Sequence, residues 1–241
     1  MPWFVITPEL RAYDNRPGPQ PRLDPIRYRR TPASSGPSEW LTLSFTTPGT
    51  RYCCAGDATP ERFATAEPLQ RKYAGQVVQI VVRAGDTYMD YLGELFGTPF
   101  VMGPAVVPVG WHQTDQRVAS DCAAFATYGR RRMGLPVPYA GPAGIVRFLR
   151  PLVAGTLIPP ERNDVYRDAR GRPIRIGATG LRRGDIVHFG AQVSVFQADR
   201  GVRGILDADD LLLQSWRTAP YVTSIRDGGF FRHPIRLYRW R

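Results

Sequence analysis

Cys122 is the residue of this chain best suited to chemistry. It stands in Ser120-Asp121-Cys122-Ala123-Ala124-Phe125-Ala126, a stretch that runs on through Arg130, Arg131 and Arg132 to Gly134. Cys122, Phe125, Ala126, Gly129 and Met133 recur at the spacing of one helical face, which predicts a helix with Asp121 as N-cap and Gly134 as stop. A thiol in the first turn of a helix has its thiolate stabilised by the dipole and by unpaired backbone N–H groups, and so becomes a nucleophile. The competing reading is a small buried hydrophobe, the common state of a free cysteine on an apolar helical face.

A thiol nucleophile needs a base, and the chain has only 3 histidines, His112, His188 and His233. His112 lies in a polar excursion, residues 111–116, that could fold over a cleft as functional loops do. His188 falls in the clearest hairpin pattern, residues 184–196, with Gly190-Ala191 at the turn. A two-residue loop pairs His188 with Val193 and turns it away from Gln192, whereas a three-residue loop pairs it with Gln192 on one face. The alternative for His188 is a histidine packed on the sheet, and for His112 a solvated loop residue. His233 has no supporting partner. Asp207, Asp209 and Asp210 form an acidic cluster that lacks a ring of further oxygen ligands, so capping and solvation are expected there. No zinc spacing and no phosphate-cradling glycine loop occurs, so neither metal nor cofactor is expected.

Length and composition bound what surrounds these residues. At 241 residues the chain can bury a full core, and it has no apolar run near the ~20 residues of a membrane span. No transmembrane segment is therefore predicted. Residues 1–10, MPWFVITPEL, show no basic start, apolar run or small-residue cleavage site of a secretory signal. The net charge of +11 invites an anionic partner, but Lys72 is the sole lysine among 32 basic residues and the arginines are scattered. No aromatic-interleaved basic motif appears, which disfavours nucleic acid as a partner. Cys53 and Cys54 are read as neighbours on a strand, one side chain in and one out.

Two regions can be told apart. Residues 1–84 read as a small β-rich N-terminal unit, broken early by Pro17, Pro19, Pro21 and Pro25, with strands predicted at 26–31, 40–46, 51–55 and 76–83. Residues 85–241 mix helices and strands. A short helix is predicted over 86–96, capped by Asp86 or Thr87, then a Gly/Pro loop over 97–104, the cysteine helix, and a helix over 143–152. A hairpin turning at Arg170-Gly171, the 184–196 hairpin, and strands at 211–216 and 234–240 complete the set.

In this order the pieces resemble the NlpC family of papain-like cell-wall cysteine peptidases. Residues 97–104 resemble that family's "GTPYxWGG" loop, Asp121-Cys122-Ala123-Ala124-Phe125 its "DCSGF" motif, and Gly134-Leu135-Pro136 its "G-x-LP". Residues 181–189 resemble "LxPGDLVFF" and residues 192–196 "HVGIY". The resemblance covers about residues 86–240 and implies an α+β papain-like fold, the nucleophile helix packed on an antiparallel sheet. It also implies hydrolysis of an amide in the peptidoglycan stem peptide, between D-glutamate and a diamino acid. Cys122 matches the nucleophile, Gln214 the residue that orients the base, and Phe100, Met102 and Asp121 fall at or beside substrate-binding positions, Phe100 replacing a tyrosine. Gln192 stands where the family has its histidine, and a neutral amide cannot accept the thiol proton. Two functions follow: an amide hydrolase with a displaced base, or a degenerate binding or structural component that contacts cell-wall peptide or a protein partner, as part of a phage-tail-like or secretion assembly. A third, an anionic-polymer binder driven by charge, would show steep salt dependence.

Overall fold

The computed structural model describes residues 1–15, 26–33, 39–56, 62–63, 77–104, 106–107, 111–153 and 164–241, with 62–63, 106–107 and 111 described by backbone alone. The prolines at 17, 19, 21 and 25 lie outside that set. The fold is mixed α+β, with few helices and several antiparallel sheets. It forms two compact units, Met1–Asp121 with Trp216–Pro220, and Cys122–Ser215 with Tyr221–Arg241. Among the described residues no helix is long and apolar enough to cross a membrane.

The first unit centres on an antiparallel five-stranded sheet. Its strands are β1 (Trp3–Pro8), β3 (Ile26–Pro32), β4 (Gly49–Ala55), β5 (Arg62–Phe63) and β6 (Val77–Val82), in the order β5-β3-β1-β4-β6. Alternation along β3 buries Ile26 and Tyr28 and exposes Arg27 and Arg29, the period-2 pattern of a half-buried strand. Ile6, Tyr28, Tyr52 and Cys54 build the core on that face. Burial pushes the Tyr52 phenol up to about 12, so it stays protonated and donates to the Arg117 carbonyl at 2.8 Å.

The unit does not end near residue 84, where the composition shift placed a boundary. β2 (Tyr13–Asp14) pairs in parallel with β7 (Val101–Met102), β8 (Val106–Val107) pairs with β9 (Trp111–His112), and the Thr50 hydroxyl donates to the Glu94 carbonyl at 2.7 Å, so residues 86–121 are tied to the N-terminal strands. Helix α1 (Tyr88–Gly93) is shorter than predicted but capped as predicted. The Thr87 side chain accepts from the Asp90 N–H and the Asp90 carboxylate from the Thr87 N–H, a reciprocal capping box. Residues 40–46 are not a strand. Their apolar and polar side chains alternate, but among the described residues no strand pairs with them, and Trp40 is 83% exposed.

The second unit is built on an antiparallel six-stranded sheet. It comprises β10 (Leu149–Pro151), β11 (Ile186–His188), β12 (Val193–Ala198), β13 (Leu211–Gln214), β14 (Tyr221–Ser224) and β15 (Arg236–Trp240), in the order β10-β15-β11-β12-β13-β14. One face buries Val187, Phe196, Leu212 and Leu237 against Tyr166, Ile174, Leu181, Leu206 and Ile225. The turn predicted at Arg170-Gly171 forms, with an isolated Arg167–Pro173 bridge beneath it.

Helix α2 (Cys122–Arg132) packs on β12 and on the short helix α3 (Pro142–Ile145). Its end is set by Gly134 at φ +84°: the Gly134 N–H reaches the Arg131 carbonyl and the Leu135 N–H the Arg130 carbonyl, the paired bonds of a Schellman stop. The apolar stripe is not what is buried. Every residue from Cys122 to Gly129 is buried, while Met133 is 44% exposed. The helix predicted over 143–152 forms only as far as Phe148. Residues 146–148 form a 3₁₀ turn and β10 pairs with β15, in keeping with Pro151, which disfavours helix at the residue before it.

Candidate functional site

Cys122 is the first residue of α2 and is buried, so the thiol sits at the positive end of an eleven-residue helix. The chain that delivers it is held by the predicted loop. Phe100 bridges in parallel to Ser120, the Val101 N–H donates to the Ser120 carbonyl at 3.1 Å, and the Asp121 carboxylate accepts from the Gly103 N–H at 3.2 Å. Gly103 takes φ +65°, a conformation open to glycine at little cost. Asp121 therefore holds the loop over 97–104 as well as preceding the helix.

Phe100 does not line an open surface. It is buried, its ring edge-on to Trp216 at 5.8 Å between centroids, which is a core contact. Met102 is half-buried, and its carbonyl accepts from the Asn15 N–H at 3.0 Å. The excursion holding His112 is polar yet buried. His112, Gln113 and Thr114 are all inaccessible, and His112 Nδ1 accepts from the Thr114 N–H at 3.2 Å. That bond puts the imidazole proton on Nε2.

The hairpin over 184–196 adopts the two-residue register. His188 pairs with Val193, the Phe189 N–H donates to the Gln192 carbonyl at 2.8 Å, and Gly190 takes φ +85° at the turn. His188 is thereby placed on the sheet face opposite Gln192, and both its ring nitrogens are used. Nδ1 accepts from the Gly190 N–H at 3.0 Å, which makes Nε2 the donor to the Pro142 carbonyl at 2.8 Å. With both ring nitrogens hydrogen-bonded to backbone groups, His188 links the hairpin turn to Pro142. His233 lies in the turn before β15, where its N–H bonds to the Phe230 carbonyl.

On the other face lies a buried polar row that includes Gln192 and Gln214. Gln192 and Ser194 alternate with Val193 and Val195, and Ser194 Oγ donates to Gln214 Oε1 at 2.9 Å across β12 and β13. Gln214 Nε2 donates to the Tyr221 hydroxyl at 2.7 Å and to the Gly228 carbonyl at 3.1 Å, so this amide is fully engaged. Gln192 is different. Its Nε2 donates to the Val193 carbonyl at 3.2 Å, while its Oε1 is buried without a hydrogen-bond donor among the described residues. Exchanging the amide's oxygen and nitrogen would set two acceptors against each other, so the orientation is determined. Ser194 and Tyr221 have no counterpart in the sequence reading. The alternation from Gln192 to Ser194 was the signal for the first, and the β13–β14 register decides the second.

Other acidic groups of the second unit are engaged in ion pairs and backbone hydrogen bonds. Asp185 at the start of β11 accepts from Arg239 Nε and Nη2 at 2.7 and 2.6 Å and from the Arg182 N–H at 2.7 Å. That bidentate pair raises the Arg239 guanidinium further above its usual range. Asp207 collects the N–H groups of Val202 and Asp209, and Asp210 those of Arg200 and Asp207. The acidic cluster therefore shapes a turn by binding amides. Among the described residues, no group of three or more histidines, cysteines or carboxylates could hold a metal ion. Cys53 and Cys54 do lie on a strand, but both are buried, and burial pushes both thiols up and away from reactivity.

Comparison with protein-family models, with curated proteins and with solved structures gives no match to this chain.

Proposed function

We propose that the chain carries a papain-like module on the plan of the NlpC-type cysteine hydrolases, with Cys122 at the nucleophile position, acting as a binder of peptide amides more than as an efficient hydrolase. The ligand is a peptidoglycan stem peptide or a segment of a protein partner, met within a larger phage-tail-like or secretion assembly. The observation that carries the reading is Gln192, a buried amide with an unpartnered Oε1 at the position of the family's base. Losing the base of such an enzyme costs on the order of 10⁴ to 10⁶ in turnover. A buried acceptor left without a donor costs about 1–3 kcal/mol, a penalty that a ligand N–H would relieve once the side chains covering Gln192 part to admit it.

One observation favours hydrolysis instead. Cys122 opens α2, where the helix dipole favours a thiolate that could attack with less help from a base. Mass spectrometry of stem peptides incubated with the native chain, Cys122→Ala and Gln192→His separates the two. Binding without turnover predicts no cleavage by the native chain and Cys122-dependent cleavage by Gln192→His. Native cleavage abolished in Cys122→Ala would establish the hydrolase.

A further inference from the structure

The second unit contains a cavity of about 950 Å³ that none of Cys122, His188, Gln192 and Gln214 lines. Its walls come from β10, from β15 and from the turn-rich segment 168–181. Its size falls within the range of small-molecule sites, about 300–1,000 Å³. The floor is aliphatic. Leu152 and Val153, both half-buried, pack there on the core residues Ile174, Leu181 and Leu237.

The rim is cationic. Arg150, Arg170, Arg172, Arg175 and Arg239 line the cavity against a single carboxylate among the described residues, Asp168. Asp168 is committed to Arg172 at 2.8 Å and to the N–H groups of Arg170 and Arg172, contacts that hold its carboxyl below the usual range. Arg239 is neutralised by Asp185. Arg150, Arg170 and Arg175 are exposed and have no carboxylate partner among the described residues. The β10–β15 register also sets Arg150 directly opposite Arg239. Asp185 already offsets the Arg239 charge, which leaves Arg150 on that rung as the guanidinium open to an anion.

The lining also selects the body of the ligand. Among the described residues it contains no aromatic ring on which a nucleobase could stack, whereas an aliphatic floor suits a saturated or isoprenoid chain. We propose that this cavity binds a phosphate or diphosphate ester carried on an aliphatic chain, with the anion held by Arg150, Arg170 and Arg175 and the chain laid on Leu152 and Val153. The proposal does not rest on the reading of Cys122 and Gln192.

Calorimetric titration of the full chain with geranyl diphosphate, ADP and inorganic pyrophosphate tests it. Geranyl diphosphate is expected to bind tightest, with affinity falling as salt rises. Arg150→Gln/Arg175→Gln should weaken it by about tenfold per guanidinium, the value of one charge-assisted hydrogen bond. Arg147→Gln/Arg203→Gln removes the same charge from exposed positions outside the cavity and should leave binding unchanged. Leu152→Ser should weaken geranyl diphosphate and spare pyrophosphate, and circular dichroism checks that each variant is folded. Should the Arg150/Arg175 pair not fold, Arg170→Gln alone carries the same expectation. Absence of geranyl diphosphate binding overturns the proposal, as does equal affinity for ADP or pyrophosphate. Equal losses in the two double variants would reduce the effect to general attraction by a basic chain and overturn it as well.

Discussion

Asp210 shows how burial and hydrogen bonding compete at a single carboxylate. It is fully buried and accepts two backbone N–H groups, at 2.8 Å from Arg200 and 2.9 Å from Asp207. Burial outweighs those bonds and pushes its carboxyl up to about 6. A raised carboxyl means that the folded chain holds a proton the unfolded chain has released. Its stabilising contribution is present below about pH 4 and is lost as the pH rises through about 6. Denaturant unfolding of the native chain and of Asp210→Asn should therefore show the native chain gaining on the variant by on the order of 2–3 kcal/mol from pH 7 to pH 4. A constant difference would contradict the assignment. The sequence displayed the acidic cluster but not its environment. Gly201 makes the close approach feasible, since a Cβ there would collide with the Asp207 carboxylate.

At the scale of elements, the hairpin over 184–196 was legible because turn chemistry and β-branched runs are local properties, and its register followed from Gly190-Ala191. The entry to that hairpin depends on a contact distant in sequence. Asp185 and Arg239 form a nearly buried bidentate pair that ties the turn before β11 to β15. Asp185→Ala would leave the guanidinium without its partner, and thermal or denaturant unfolding should show a loss of about 3–5 kcal/mol. A loss under about 1 kcal/mol would mean that the pair is effectively solvated. The strand predicted over 40–46 failed for the complementary reason. Alternation specifies a face, whereas a strand exists only where another strand accepts its hydrogen bonds.

The whole molecule divides in a way that no composition shift announced. The first unit runs to Asp121 and reclaims Trp216–Pro220, so the second unit is interrupted by a segment whose packing partner is Phe100. A fragment spanning 122–241 would carry Trp216 without that partner. It should sediment as aggregate or unfold with reduced cooperativity relative to the full chain, and a monomeric fragment with a sharp transition would refute the division. By itself the sequence determined the local features: the helix that opens at Cys122 and stops at Gly134, the capping box at Thr87, the hairpin at Gly190 and the absence of a histidine at position 192. Each is encoded within a few residues by caps, turns and side-chain chemistry. Only the tertiary structure decided that His188 is bound on both nitrogens, that Gln214 is held by Ser194 and Tyr221, and that Gln192 keeps an unpartnered oxygen. Those outcomes depend on strand register and on which carbonyls and amides meet across the fold, and that information is spread over residues far apart in the chain.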